Sequence, residues 1–116
     1  MIVCVIDDLI FSIKISTAAK GLGAEVYFER AADMVLARIR EKQPALVIFD
    51  LNGSRLKPMQ AIADMKADPD LKAIRTLGFV SHVDADTIAA ARQAGIDQVL
   101  ARSAFSSRLG EILTSA

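Results

Sequence analysis

The feature that most constrains this chain is an alternation of short, nearly continuous apolar runs with longer stretches of helical spacing. The short runs cover residues 2–6, 25–28, 45–49, 76–80 and 98–101. Most are apolar on consecutive positions, as strands buried on both faces of a sheet must be. Between them, Phe11, Ile15, Ala18 and Leu22 form an inward stripe that Gly23 ends, and Ala32, Val35, Leu36 and Ile39 form a second that Pro44 closes. A third helix is marked by Met59, Ile62 and Ala63 with Pro58 in its first turn. Residues 84–94 make a fourth, with Ile88 and Ala91 inward and Gly95 as terminator. Phe105, Leu109, Ile112 and Leu113 mark one last helix.

The order βαβαβαβαβα implies a parallel sheet with helices on both faces, joined by right-handed crossovers. Five strands in 116 residues fit an α/β, flavodoxin-like, doubly wound (βα)5 fold with strand order 2-1-3-4-5, in one domain over residues 1–116. Fourteen basic and fourteen acidic residues cancel, which argues against nucleic-acid binding. The apolar runs are too short for a membrane span, and no leader is readable. The single Cys4 lies inside the first run and reads as inert core. The expected address is cytoplasmic.

In such a fold, ligands bind beyond the carboxyl ends of the strands, so the residues found there carry the function. The first strand runs into Asp7 and Asp8, the third into Asp50, the fourth into Ser81 and His82, and the fifth into Arg102 and Ser103. Strands one and three are neighbours in the proposed order, so three carboxylates are expected to converge. Their repulsion calls for a cation, and hard oxygens with open positions suit Mg²⁺ together with a phosphate. Removing any one of the three acids is then expected to stabilise the metal-free protein. The Ser81 hydroxyl and the Arg102 cation could engage a phosphoryl group, which points to phosphoryl chemistry on an aspartate. Each residue alone has a plainer reading: Asp7 or Asp8 as a helix N-cap, Asp50 as a loop residue, Ser81 as a turn, Arg102 as a surface cation.

At these residues the sequence resembles the receiver domain of two-component response regulators. The marks are Val5-Ile6-Asp7-Asp8, the run from Leu46 through Asp50 to Asn52, Phe79-Val80-Ser81, and Ala94-Gly95-Ile96-Asp97. The resemblance implies that Asp50 accepts a phosphoryl group from a sensor histidine kinase or phosphotransfer protein. It also implies that Asp7 and Asp8 hold Mg²⁺ with Asp50 and the Asn52 backbone carbonyl, with Asp7 the more distant. Ser81 would follow the phosphoryl group, and signalling would pass to a downstream protein partner, with a homodimer possible.

Five positions depart from that family's pattern, one of them Leu9, where many receivers have Glu or another polar residue after the acid pair. Arg102 replaces a lysine, Ser103 replaces a proline, and Val99 stands where many receivers have an aromatic switch residue. His82 follows Ser81 where a small residue is usual, and its ring is expected either to overhang the site or to stand in an exposed loop. Without a ring at Val99, activation is expected to avoid an aromatic rotamer switch. A pseudo-receiver that binds its partner without phosphorylation is the alternative.

Enzyme rivals are poorly served. A dehalogenase-type phosphatase needs a second Asp two residues after the nucleophile, and Asn52 stands there. No P-loop or dinucleotide fingerprint exists, and Leu9-Ile10-Phe11 is the opposite of a flavin-phosphate loop. Residues 10 and 13 lie about 100° from the 11/15 direction on a helix, so Leu9, Ile10 and Ile13 cannot all join the core stripe. They are expected to form a partner-binding face, unless neighbouring loops bury them.

Overall fold

The computed structural model describes residues 1–81 and 84–116. Strands β1 (Ile2–Val5), β2 (Val26–Phe28), β3 (Leu46–Asp50), β4 (Arg75–Val80) and β5 (Gln98–Ala101) form one sheet, all parallel, in the order β2-β1-β3-β4-β5. This is the flavodoxin-like order expected from the alternation. Helices α1 (Leu9–Leu22), α2 (Val35–Lys42), α3 (Pro58–Ala67), α4 (Ala85–Ala94), α5 (Arg102–Ser107) and α6 (Leu109–Ser115) complete the fold. No helix among the described residues is long and apolar enough to cross a membrane.

Alternation along the strands divides the core into two layers. Val3, Val5, Val47 and Phe49 point to the side of α2, α3 and α4, where Val35, Ile39, Ile62, Met65 and Ala91 meet them. Ile2, Cys4, Ile6, Leu46 and Ile48 point to the side of α1, α5 and α6. Both faces are therefore covered, which is why these strands carry apolar residues without interruption.

Two expectations about the helices are corrected. Leu22, expected on the inward stripe, is 48% exposed, whereas Ala19 is buried. The 14-residue α1 is about 21 Å long, while the four-residue β1 spans about 13 Å, so its last turn overruns the sheet. The single last helix is in fact two, because the chain leaves helical geometry at Arg108 (φ −103°, ψ 10°). There the Ala104 carbonyl accepts both the Arg108 N–H at 3.1 Å and the Ser107 hydroxyl at 3.0 Å. Phe105, Leu109, Ile112 and Leu113 remain buried on both sides of the break.

Gly78, in β4, is the point of closest approach between the sheet and the segment that follows β3. A Cβ there would lie 2.7 Å from Cγ and Cδ1 of Leu51 and 2.8 Å from Cδ1 of Ile96. Leu51 directly follows Asp50, so overpacking at this point displaces the end of β3. Gly78→Ala is expected to cost about 1–3 kcal/mol in urea unfolding, the usual range for overpacking a filled core.

Candidate functional site

Parallel pairing of β1 with β3, and of β3 with β4, gathers the acidic and hydroxyl residues at one edge of the sheet. Asp8 is the N-cap of α1: its backbone is extended, and Oδ1 accepts the Phe11 N–H at 2.9 Å. Its other oxygen, Oδ2, accepts from Arg102 Nη2 at 3.0 Å. The Phe11 N–H, reinforced by Arg102, holds the Asp8 carboxyl below the usual carboxylate range against a burial effect of opposite sign.

Arg102 opens α5, and this position follows from its neighbour. A proline at 103 would disfavour helical backbone at 102, whereas Ser103 leaves Arg102 free to be the first helical residue. The guanidinium lies over the Phe11 ring, 4.1 Å from its centroid. Its Nη1 reaches Ser81 Oγ at 3.4 Å.

Asp50 ends β3, and its Oδ1 accepts the Asn52 N–H at 3.0 Å. Burial pushes its pKa up, and the Asp8 charge adds to the rise, while the Asn52 N–H and Arg102 act the other way. Asn52 also links two strand ends, because its Oδ1 accepts the Ser81 N–H at 2.6 Å.

Asp7 is engaged elsewhere. Arg55, in the short 3-10 turn Ser54–Leu56, grips it with two arms: Nε to Oδ2 at 2.7 Å and Nη2 to Oδ1 at 2.5 Å. The hydrogen bond from Arg55 holds the Asp7 carboxyl below its ordinary pKa. Among the described residues, no three His, Cys, Asp or Glu side chains form a group that could hold a metal ion. The expected three-way convergence is thus corrected to a facing pair, Asp8 and Asp50, with Asp7 drawn off by Arg55. Arg55 was not singled out in the sequence. The clue available was a cation in the loop after β3, beside an acid pair that needs neutralising.

Of the other predicted residues, Leu9, Ile10 and Ile13 are 64%, 82% and 58% exposed at the start of α1. Val99 is half-buried and packs on the α2–α4 side of the core. His82 lies outside the described residues.

No protein-family model matches the sequence, and no curated protein matches it. Among solved structures, the chain is similar to the phosphorylated cyanobacterial phytochrome response regulator RcpA, with 24% identity, a TM-score of 0.79, and 98% and 88% of the two chains covered. It is also similar to the receiver domain of sensor histidine kinase PA1611 from Pseudomonas aeruginosa, which has a magnesium ion coordinated in its active-site cleft. There the identity is 17%, the TM-score 0.84 and the coverage 98% and 93%. A response regulator from Hahella chejuensis gives 16% identity, a TM-score of 0.83 and coverage of 97% and 92%.

The chain has the receiver fold. Within that fold, its acid pair is neutralised by two guanidiniums, and this reverses part of the expectation for acid removal. Asp7 and Asp8 have lowered pKa values, so each contributes stability above its unfolded pKa that is lost as pH falls through its folded value. Asp50 has a raised pKa, so its ionisation costs stability as pH rises from the unfolded value through the folded one. At pH 7, metal-free Asp7→Asn and Asp8→Asn are expected to melt below the parent. Asp50→Asn is expected to melt above it, the gap closing as pH falls to the unfolded carboxylate value of about 4. Thermal melts across pH 4–7 measure both signs.

Proposed function

We propose that this chain is a two-component receiver that accepts a phosphoryl group on Asp50 and signals through protein–protein contacts. The observation that carries this reading is the state of Asp50: a half-buried carboxylate of raised basicity facing Asp8, with the Arg102 cation near enough to act on it. RcpA, similar in fold, is described as phosphorylated, and PA1611 as holding magnesium, which supports the same chemistry here. The donor would be a phosphohistidine on a sensor histidine kinase or phosphotransfer protein.

In the transfer, Asp50 Oδ2, the oxygen not held by Asn52, attacks phosphorus. An O–P bond forms, the N–P bond of the donor imidazole breaks, and the electron pair returns to that nitrogen, which takes up a proton. The Asn52 N–H fixes the carboxylate plane, and higher basicity strengthens the nucleophile. Ser81 and Arg102, already 3.4 Å apart, would bind the incoming phosphoryl oxygens.

The donor set fits a hard divalent cation: burial raises the Asp50 pKa and the nearby Asp8 charge adds to it, so both carboxylates favour a cation, and Mg²⁺ needs only one or two protein carboxylates beside a phosphate. Asp8, Asp50 and the Asn52 carbonyl would hold Mg²⁺, with Asp7 farther out. Bound there, it would neutralise charge on the phosphoryl oxygens.

A second reading has one observation in its favour. Arg55 and Arg102 already balance the acid pair, as they would in a pseudo-receiver that needs no phosphate. Treatment with acetyl phosphate and Mg²⁺ followed by intact-mass measurement separates the two. The parent is expected to gain one phosphoryl group and Asp50→Asn none. An unmodified parent favours the pseudo-receiver.

The partner face is assigned to Leu9, Ile10 and Ile13, whose exposure leaves apolar area beside the acids. The reading implies a cytoplasmic signalling module, not an enzyme acting on an external substrate, with its output a protein partner or a second copy. Ile10→Lys combined with Ile13→Lys is expected to leave the melting temperature and acetyl phosphate labelling near parental values. Phosphotransfer from a partner's phosphohistidine, followed by radiolabel, is expected to fall at least tenfold, about 1.4 kcal/mol of lost docking energy.

A further inference from the structure

We propose that Arg55 is an internal counter-ion that competes with a divalent cation for the acid edge, so that metal binding is coupled to release of Arg55. The proposal rests on the reading of Asp8 and Asp50 as cation ligands with Asp7 behind them. The two arginines hold their acids differently. Arg102 gives Asp8 one arm and is otherwise spread over Phe11 and Ser81. Arg55 gives Asp7 both arms of its fork, the geometry in which a guanidinium binds a carboxylate best.

The turn that carries Arg55 is itself anchored. Leu56 is buried, and the Leu56 N–H donates to the Gly53 carbonyl at 3.2 Å. The guanidinium is therefore presented to Asp7 by a short, packed segment and not by a free loop. Arg55 Nη2 also donates to the Arg30 carbonyl, just beyond β2, at 3.3 Å. One side chain thus ties the loop after β3 to the residues after both β1 and β2.

Asp7 is the chain neighbour of Asp8, so a cation entering between Asp8 and Asp50 adds positive charge to the edge that Arg55 neutralises. Like charges repel, and the cation takes over neutralisation of the acids. The Arg55–Asp7 pair weakens, and with it the tie to Arg30. The cost of loosening the pair is subtracted from the affinity for metal. In the absence of metal, Arg55 keeps the edge neutral and the three loops joined. With metal bound, the loop after β2 loses one of its tethers.

Binding of Mn²⁺ to the unphosphorylated full chain, measured by the paramagnetic resonance signal of free Mn²⁺, tests this without any phosphorylation assay. Arg55→Gln is expected to bind Mn²⁺ about fivefold or more tightly than the parent, from loss of an exposed but two-armed ion pair and of its charge. Arg55→Lys, which keeps the charge but not the fork, is expected to fall between them. Asp8→Asn is expected to abolish binding in either background. If the parent binds, Asp8→Asn does not, and Arg55→Gln is equal to or weaker than the parent, the counter-ion role is overturned while the cation site stands. If neither the parent nor Arg55→Gln binds Mn²⁺, the cation site fails and the coupling fails with it. Binding by Arg55→Gln alone would be the strongest form of the expected result.

Discussion

Charge balance at one edge of the sheet is the constraint to which the other local features answer. The strand order puts the residues after β1 beside the end of β3, so carboxylates are brought together by topology and not by local preference. Like charges at such spacing are unfavourable unless something offsets them. Here the offset comes from Arg55 on Asp7 and Arg102 on Asp8. Asp50 receives neither ion pair among the described contacts, and burial, with the Asp8 charge adding to it, makes it the one acid of the three whose pKa rises. The edge is thus polarised into two acids with ion-pair partners and one, Asp50, whose charge is left uncompensated in a half-buried position.

The packing beneath the site keeps Arg102 where this balance needs it. Phe11, Phe79 and Phe105 form an aromatic cluster, with the Phe11–Phe79 and Phe79–Phe105 centroids each 4.9 Å apart. The cluster joins α1, β4 and α5: Asp8 caps the first, Ser81 directly follows the second and Arg102 opens the third. Because the guanidinium rests on the Phe11 face, its position is set by core packing as well as by charge. A lysine in the same place would offer a point charge with no plane to stack. Ser103 and Arg102 therefore belong together: the serine admits helical backbone at 102, and the arginine uses that position to lie across Phe11.

How much of this was legible in the sequence depends on the range of the interaction. Strands β1 and β3 were plain because burial on both faces leaves no polar position in residues 2–5 or 46–49. Strand ends shifted by a residue, since pairing at a sheet edge is set by the neighbour and not by the strand's own sequence. Leu22 was misassigned because periodicity carries no knowledge of where the sheet stops. The break at Arg108 leaves no mark in the sequence, because Phe105, Leu109, Ile112 and Leu113 stay buried on both sides of it and the apolar pattern is intact. Asp7, Asp8, Asp50, Ser81 and Arg102 stand at or just beyond strand ends, and the alternation in the sequence already predicts where each strand stops. Arg55 was not legible, because its partner is 48 residues away in the chain and its loop position has no periodicity to betray it.

Asp8 shows why the plain and the functional reading of a residue need not exclude each other. As an N-cap, it ties Oδ1 to the Phe11 N–H, satisfying a donor that the first turn of α1 would otherwise leave open. That bond fixes the plane of the carboxylate and leaves Oδ2 as the oxygen directed at Arg102. The positive end of the α1 dipole then favours negative charge at the same place. An asparagine at position 8 would keep the cap, since Asn and Asp cap equally well, yet it would remove the charge that Arg102 answers and that raises the Asp50 pKa. The cap accounts for where the carboxylate is held, and the charge accounts for what it does to its neighbours. Folding of α1 and polarisation of the acid edge are therefore two consequences of one side chain.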